Sequence, residues 1–152
     1  MLVEHIMTRH VVSVRMDATL DTIRELFEAR RFHHVVVLEE RRLVGIISDR
    51  DLLRAVSPFA GTAAERTMDA ASWHKRAHQI MHRSVITARA DMNVNEAAAL
   101  FLRHRISALP VIDDEGSCVG IVTLRDFLRW MLAEVGDDTC ATKLAEEPKR
   151  AA

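Results

Sequence analysis

Long apolar runs, patterned cysteines and an excess of either charge are all missing from this chain. No stretch approaches the roughly 18 consecutive apolar residues of a membrane-crossing helix. The start, Met1-Leu2-Val3-Glu4-His5, has neither the basic nor the apolar region of a secretory signal. Cys118 and Cys140 are the only cysteines and follow no pattern, which suits reduced thiols rather than a disulfide framework. A cytoplasmic location is therefore expected. Lys and Arg number 21 against 22 Asp and Glu, a net charge of -1, so no basic field recommends nucleic acid or an anionic membrane as partner. There is no P-loop, no nucleophile set beside a base and no additional catalytic domain, so no enzyme activity is expected. Only Lys75, Lys143 and Lys149 among the cations are lysine. That arginine excess reads either as phosphate recognition by guanidinium forks or as codon bias.

What the chain does have is a duplication. Ile6-Met7-Thr8-Arg9 through Ser48-Asp49-Arg50-Asp51-Leu52-Leu53 returns as Ile80-Met81-His82-Arg83 through Thr123-Leu124-Arg125-Asp126-Phe127-Leu128. About sixteen of about fifty aligned positions are identical, and most others are swaps such as Val12/Ile86 and Ser13/Thr87. The 74-residue spacing of Ile6 and Ile80 is too long for a solenoid repeat, so each copy is a small subdomain. With 152 residues, 49% of them hydrophobic, the chain suits one domain or two tightly packed halves. Two copies imply a pseudo-twofold pair with two equivalent sites.

Each copy reads β-α-β-β-α, an α+β pattern. A short extended piece (Val11 to Val14, Val85 to Ala88) precedes a helix capped by Thr19 or Asn93. Leu20, Ile23, Leu26 and Phe27 match Val94, Ala97, Leu100 and Phe101, the spacing of one buried helical face. Asn93 with Glu96 also resembles a capping box. Two apolar strands follow, Val35 to Leu38 with Leu43 to Ile47 and Leu109 to Ile112 with Cys118 to Val122, joined by charged hairpin turns. Their near-continuous apolarity implies burial on both faces. Final helices begin just after Ser48 and Thr123, the second reaching about Val135. Between the copies, Ser57 to Gly61 is a loop, and Thr62 to about Met81 is Ala-rich and expected to be helical, anchored by Trp73. The expected divisions are 1–56, first repeat; 57–79, linker with helix; 80–135, second repeat; and 136–152, a polar tail.

The tails Gly45-Ile46-Ile47-Ser48-Asp49-Arg50-Asp51 and Gly120-Ile121-Val122-Thr123-Leu124-Arg125-Asp126 carry the chemistry. A strand ends and a helix begins with a hydroxyl followed three residues later by a carboxylate. Free N–H groups and the helix dipole there favour an anion. Glycine lets something approach the backbone closely, and an Asp carboxylate can accept from both hydroxyls of a ribose diol. The same tetrad is also an ordinary helix cap. Residue chemistry leaves both readings open.

In order and spacing, twice over, these residues resemble the CBS domain family, and the two copies resemble a CBS pair, or Bateman module. The likeness rests on the opening Ile-Met, the Val-Val-Ser-Val and Val-Ile-Thr-Ala pieces, Leu109-Pro110-Val111-Ile112-Asp113, and both Gly-x-x-(Ser/Thr)-x-x-Asp tails. It spans roughly residues 1–135 and implies two β-α-β-β-α repeats packed with pseudo-twofold symmetry, usually assembled as homodimers. It also implies a regulatory module that binds adenosine-containing ligands of the AMP, ADP or ATP class in inter-repeat clefts and signals to a partner protein. No cofactor is required; the nucleotide is a regulatory ligand. By this resemblance Asp51 and Asp126 hold ribose, and Ser48 and Thr123 contact ribose or phosphate. The Ser13 and Thr87 segments line the adenine slot. Arg50 and Arg125 reach phosphate or else form local ion pairs.

The copies differ where relatives often carry a phosphate-facing His-Arg pair. His33-His34 stands there in the first repeat, Ser107-Ala108 in the second, and Val36 faces Pro110 where the family often has proline. The first cleft is expected to favour phosphorylated adenosine, more strongly at pH 6 than at pH 8. His74, His78 and His82 fall at i, i+4 and i+8, which on one helix stacks them as a metal-ligand stripe or a solvated polar one. The alternative to a nucleotide sensor is a structural CBS dimer that binds no nucleotide, with metal at these histidines. A nucleic-acid role ranks behind both.

Overall fold

The computed structural model describes residues 1–30 and 32–134; the expected polar tail lies outside them. The chain order is β1 (Ser13–Arg15), α1 (Leu20–Arg30), β2 (His34–Glu39), β3 (Arg42–Ser48), α2 (Asp49–Ala55), α3 (Thr67–Ala71), α4 (Ala77–Ile80), β4 (Ala88–Arg89), α5 (Val94–His104), β5 (Ala108–Ile112), β6 (Cys118–Thr123) and α6 (Leu124–Glu134). Each half holds a three-stranded sheet in which the first two strands run parallel and the last two form an antiparallel hairpin. Matching bulges, at Val37/Leu38 and Val111/Ile112, keep the two registers equivalent. The expected α+β class and the repeated β-α-β-β-α order both hold.

Periodicity explains why these segments fold so. Leu20 and Ile23 are fully buried, with Leu26 and Phe27 packed on the same cluster. Val94, Ala97 and Phe101, with Leu100, do the same in the second half. The β2 run Val35-Val36-Val37 is fully buried, each side chain contributing about 1.5–3 kcal/mol relative to exposure. Caps fix the helix starts: the Thr22 N–H donates to Thr19 Oγ1 at 3.2 Å, and the Asn95 N–H to Asn93 Oδ1 at 2.9 Å. Among the described residues Glu96 returns no bond to Asn93, so the expected capping box is a simple cap.

The halves are laced together rather than merely stacked. Residues before the first repeat's strands pack on the second half: the Val3 and Glu4 N–H groups donate to Met92 and Ala90, and Thr8 bridges Ile121. Reciprocally, the Ala77 and His78 N–H groups donate to Ala18 and Met16, and His82 bridges Ile46. Met81 is thereby a core residue of the first half, and Met7 packs on the core of the second.

The same lacing accounts for the close approach expected at the two tail glycines. A Cβ on Gly45 would meet Met81 Sδ at 2.5 Å, and one on Gly120 would meet Met7 Sδ at 2.6 Å. The close approach that glycine permits is by the other repeat's methionine, not by a ligand.

The linker also differs from expectation. In place of one helix from Thr62 to Met81 there are α3, a 3-10 turn at Ser72–His74, an extended Lys75 (φ -56°, ψ 154°), and the four-residue α4. Lys75 breaks the helix because its carbonyl is used elsewhere, accepting the Leu20 N–H at 3.0 Å. Trp73 packs on the first core, as expected, beneath the Arg24 guanidinium at 5.2 Å.

Candidate functional site

Both tails close as reciprocal caps. The Ser48 N–H and hydroxyl donate to Asp51 Oδ2 at 2.8 and 2.6 Å, and the Asp51 N–H returns to Ser48 Oγ at 3.3 Å. Thr123 and Asp126 repeat this at 2.9, 2.6 and 3.4 Å. Each Asp thus spends Oδ2 on its own helix and turns Oδ1 outward. Asp51 Oδ1 accepts from His82 Nε2 at 3.0 Å, while Asp126 Oδ1 faces Arg129 Nη1 at 3.4 Å. Burial alone pushes the Asp51 carboxyl upward, but the Ser48 hydroxyl and N–H, joined by His82, outweigh it and hold the group below its ordinary range.

Of the free backbone N–H groups expected at these helix starts, the first is occupied in both helices and the second is occupied in α2. In α2 the Asp49 N–H donates to the His33 carbonyl at 3.0 Å and the Arg50 N–H to Asp49 Oδ1 at 2.8 Å. In α6 the Leu124 N–H donates to the Ser107 carbonyl at 3.0 Å. At α2 an anion therefore has to be met chiefly by side chains.

Those side chains converge. A cavity of about 820 Å³ lies between the halves. The first repeat supplies His33, His34, Ser48, Arg50 and Asp51; the second supplies Ala108, Thr123 and Arg125. Arg54 and Arg105 also line it, so four guanidiniums face two carboxylates, those of Asp49 and Asp51. Ser84, Val85 and Ile86, the approach to β4, form a less polar wall. His33 Nδ1 pairs with Asp49 Oδ2 at 2.8 Å, and His34 Nε2 meets Ser107 Oγ at 3.2 Å across the two halves. Desolvation pulls the His34 pKa down, only partly offset by the nearby Asp49 charge.

Four expected site residues stand outside this lining. Ser13 is exposed on β1, paired with Val36. Thr87 is half-buried just beyond Ile86. Pro110 is buried within β5 opposite Ile121. Asp126 sits beneath Thr123 as its cap partner, its side chain 15% exposed. The three linker histidines do not form a stripe. His74 ends the 3-10 turn, His78 Nδ1 bonds the Met16 carbonyl at 3.0 Å, and His82 lies past α4 on Asp51. Among the described residues no group of three or more His, Cys, Asp or Glu is placed to hold a metal ion.

Sequence reasoning missed Arg54, Arg105, Ser84 and the part that His82 plays. The repeat itself carried one signal, since Arg54 and Arg129 occupy matching places one turn after Asp51 and Asp126. His82 and Ser84 depend on the lacing, which brings the start of the second repeat into the first repeat's site; Arg105 comes from the end of α5.

The sequence model of the CBS domain matches residues 3–58 and 77–133. A CBS domain-containing protein of Dictyostelium discoideum is 33% identical over 129 residues, covering 84% of this chain and 88% of that one. Among solved structures, the CBS domain pair of protein MJ0100 in complex with 5'-methylthioadenosine and S-adenosyl-L-methionine superposes with a TM-score of 0.74 at 27% identity. That match covers 88% of this chain and 98% of the other. CBSX2 in complex with AMP gives 0.72 at 27% identity over the same shares of the two chains. No described helix is long and apolar enough to cross a membrane.

Proposed function

This chain belongs to the CBS domain family, and from that membership we propose that it is a regulatory module taking an adenosine-containing ligand of the AMP, ADP or ATP class in the cavity between its repeats. The observation that carries this reading is the meeting of three chemistries in one space. Asp51 offers carboxylate to a ribose diol, the Val85-Ile86 wall offers apolar surface to a base, and Arg50, Arg54, Arg105 and Arg125 offer guanidinium to phosphate. A volume of about 820 Å³ falls within the range of small-molecule sites. The related pairs solved with 5'-methylthioadenosine, S-adenosyl-L-methionine and AMP support adenosine as the common element. His33 and His34 make this cavity the better phosphate site of the two that the duplication implies. Thr123 faces it, whereas Ser13, Thr87, Pro110 and Asp126 stand outside its lining.

Such a module signals by binding its ligand more tightly in one of two arrangements and passing that change to a partner protein. Exposed Leu53 on α2 and Leu124, Leu128 and Met131 on α6 support assembly as a homodimer through these helices. Free Cys118 suits the cytoplasm.

A thermal-shift and calorimetric screen of adenosine, AMP, ADP, ATP, NAD and S-adenosylmethionine tests the reading. An adenine nucleotide should raise the melting temperature. Asp51→Ala should cut its affinity about tenfold or more, the loss of one bond to a charged group. A second reading draws on the caps: Ser48–Asp51 and Thr123–Asp126 are already satisfied without any ligand, as a purely structural CBS dimer would have them. No shift with any of these ligands at millimolar concentration decides for that alternative.

A further inference from the structure

The oxygen that the ribose contact requires is already engaged by a donor from the other repeat. Asp51 Oδ2 is committed to Ser48, and Oδ1 accepts from His82 Nε2 at 3.0 Å. The backbone aims His82 there. Its N–H donates to the Ile46 carbonyl at 3.0 Å and its carbonyl accepts the Ile46 N–H at 3.1 Å, two residues before Ser48. The imidazole itself is 67% exposed, while the Asp51 side chain is 14% exposed. The ring can therefore swing into solvent by side-chain rotation without breaking the bridge.

The second half is built otherwise. Thr8, the counterpart of His82, makes the same bridge with Ile121, at 2.8 and 3.0 Å. Asp126 Oδ1 nevertheless turns to Arg129 on its own helix, at 3.4 Å, and no residue from the other repeat covers it among the described bonds. The cross-repeat contact is thus a property of one site only.

We propose that His82 is an internal occupant of the ribose position, a specificity-determining residue that competes with ligand hydroxyls for Asp51 Oδ1 and lowers the affinity of this cleft. The inference rests on the nucleotide reading above and adds a tunable threshold to it. Binding has to displace the histidine, so the free protein is held in a self-satisfied state until ligand concentration is high enough. Replacing His82 by threonine, the residue that the other repeat uses, removes the competitor and leaves the bridge.

Isothermal titration of adenosine and of AMP against wild type, His82→Thr and His82→Gln tests this. His82→Thr should bind both ligands about three- to tenfold more tightly, by the same factor, because the competition is at the ribose. His82→Gln keeps a donor and should stay within about twofold of wild type. Both variants should melt near wild type, since the substituted side chain is exposed. Unchanged or weaker binding by His82→Thr overturns the inference and leaves the nucleotide reading standing. Binding by none of the three proteins at millimolar ligand removes both.

Discussion

Replacing Gly45 with alanine tests whether the methionine of one repeat wedges the other. The new Cβ would lie 2.5 Å from Met81 Sδ, 2.9 Å from its Cγ and 3.0 Å from its Cβ. Ordinary carbon contacts sit at about 3.5–4.0 Å, so the overlap is close to an ångström at sulfur. Met81 has little room to retreat. It is 8% exposed, packed with Leu20, Ile23, Ile47 and Leu52, and its neighbour His82 is pinned to Ile46. Two effects oppose each other. Alanine is better than glycine inside a strand by about 0.5–1 kcal/mol, whereas overpacking a filled core costs about 1–3 kcal/mol. Overpacking wins, and the net loss should be about 1–2 kcal/mol. That corresponds to a melting temperature lower by about 2–8 °C for a chain of this size.

The control is the same substitution made where the wedge is gone. Met81→Ala alone should cost about 2–5 kcal/mol as a buried truncation, and it opens the space that Gly45→Ala needs. In that background Gly45→Ala should cost less than about 0.5 kcal/mol, so the two changes interact by at least about 0.5 kcal/mol. Urea unfolding of all four proteins measures the cycle. A Gly45→Ala protein as stable as wild type, or an equal penalty in both backgrounds, refutes the wedge.

Two pH effects follow from His34 and its surroundings. Phosphate favours a charged imidazole, so binding takes up protons and the ratio of AMP to adenosine affinity should be higher at pH 6 than at pH 8. AMP itself loses negative charge near pH 6, so a rise in the ratio comes from the protein, and equal ratios by calorimetry exclude His33 and His34 as phosphate partners. Without ligand the sign reverses: folding holds the His34 pKa below its ordinary value, so between the two values the unfolded chain binds more protons. The stability from neutral His34 is then complete above about pH 6.5 and lost as pH falls below it. Differential scanning calorimetry should show the melting temperature dropping from pH 7.5 to 5.5, with a smaller drop in His34→Gln; equal drops in both proteins would remove His34 from the account.

Much of the fold was legible because it depends on local repetition. Leu20, Ile23, Leu26 and Phe27 and their counterparts declare a buried helical face, and the valine run 35–37 declares a strand buried on both sides. Helix starts at Asp49 and Leu124 follow from Ser48 and Thr123. What failed was everything that depends on which half a segment joins. The run from Thr62 to Met81 has a helical composition, yet Leu20 takes the Lys75 carbonyl and breaks it. His74, His78 and His82 share a helical spacing that no helix realises. Gly45 and Gly120 announced a close approach correctly but did not say by what. The expectation of free N–H groups failed at Asp49 and Leu124 for a related reason: the carbonyls that take them come from His33 and Ser107 on preceding segments, which no helix-start motif records.

The lacing gives the difference between the repeats its consequence. Met81 and His82 are adjacent residues with opposite employment: one is a wedge in the first half's core, the other a cap on that half's ribose-type carboxylate. Both belong by sequence to the second repeat. A ligand that displaces His82 therefore acts one peptide bond from the packing that joins the halves, and only four residues before the Ile86 wall that would meet its base. At Asp126 no such link exists, because its outer oxygen is met by Arg129 on the same helix and Thr8 stands aside. The contact at Asp51 reaches across to the other repeat, whereas the one at Asp126 stays on α6. Duplication supplied two similar Ser/Thr–Asp caps, and one histidine ties just one of them to the other repeat.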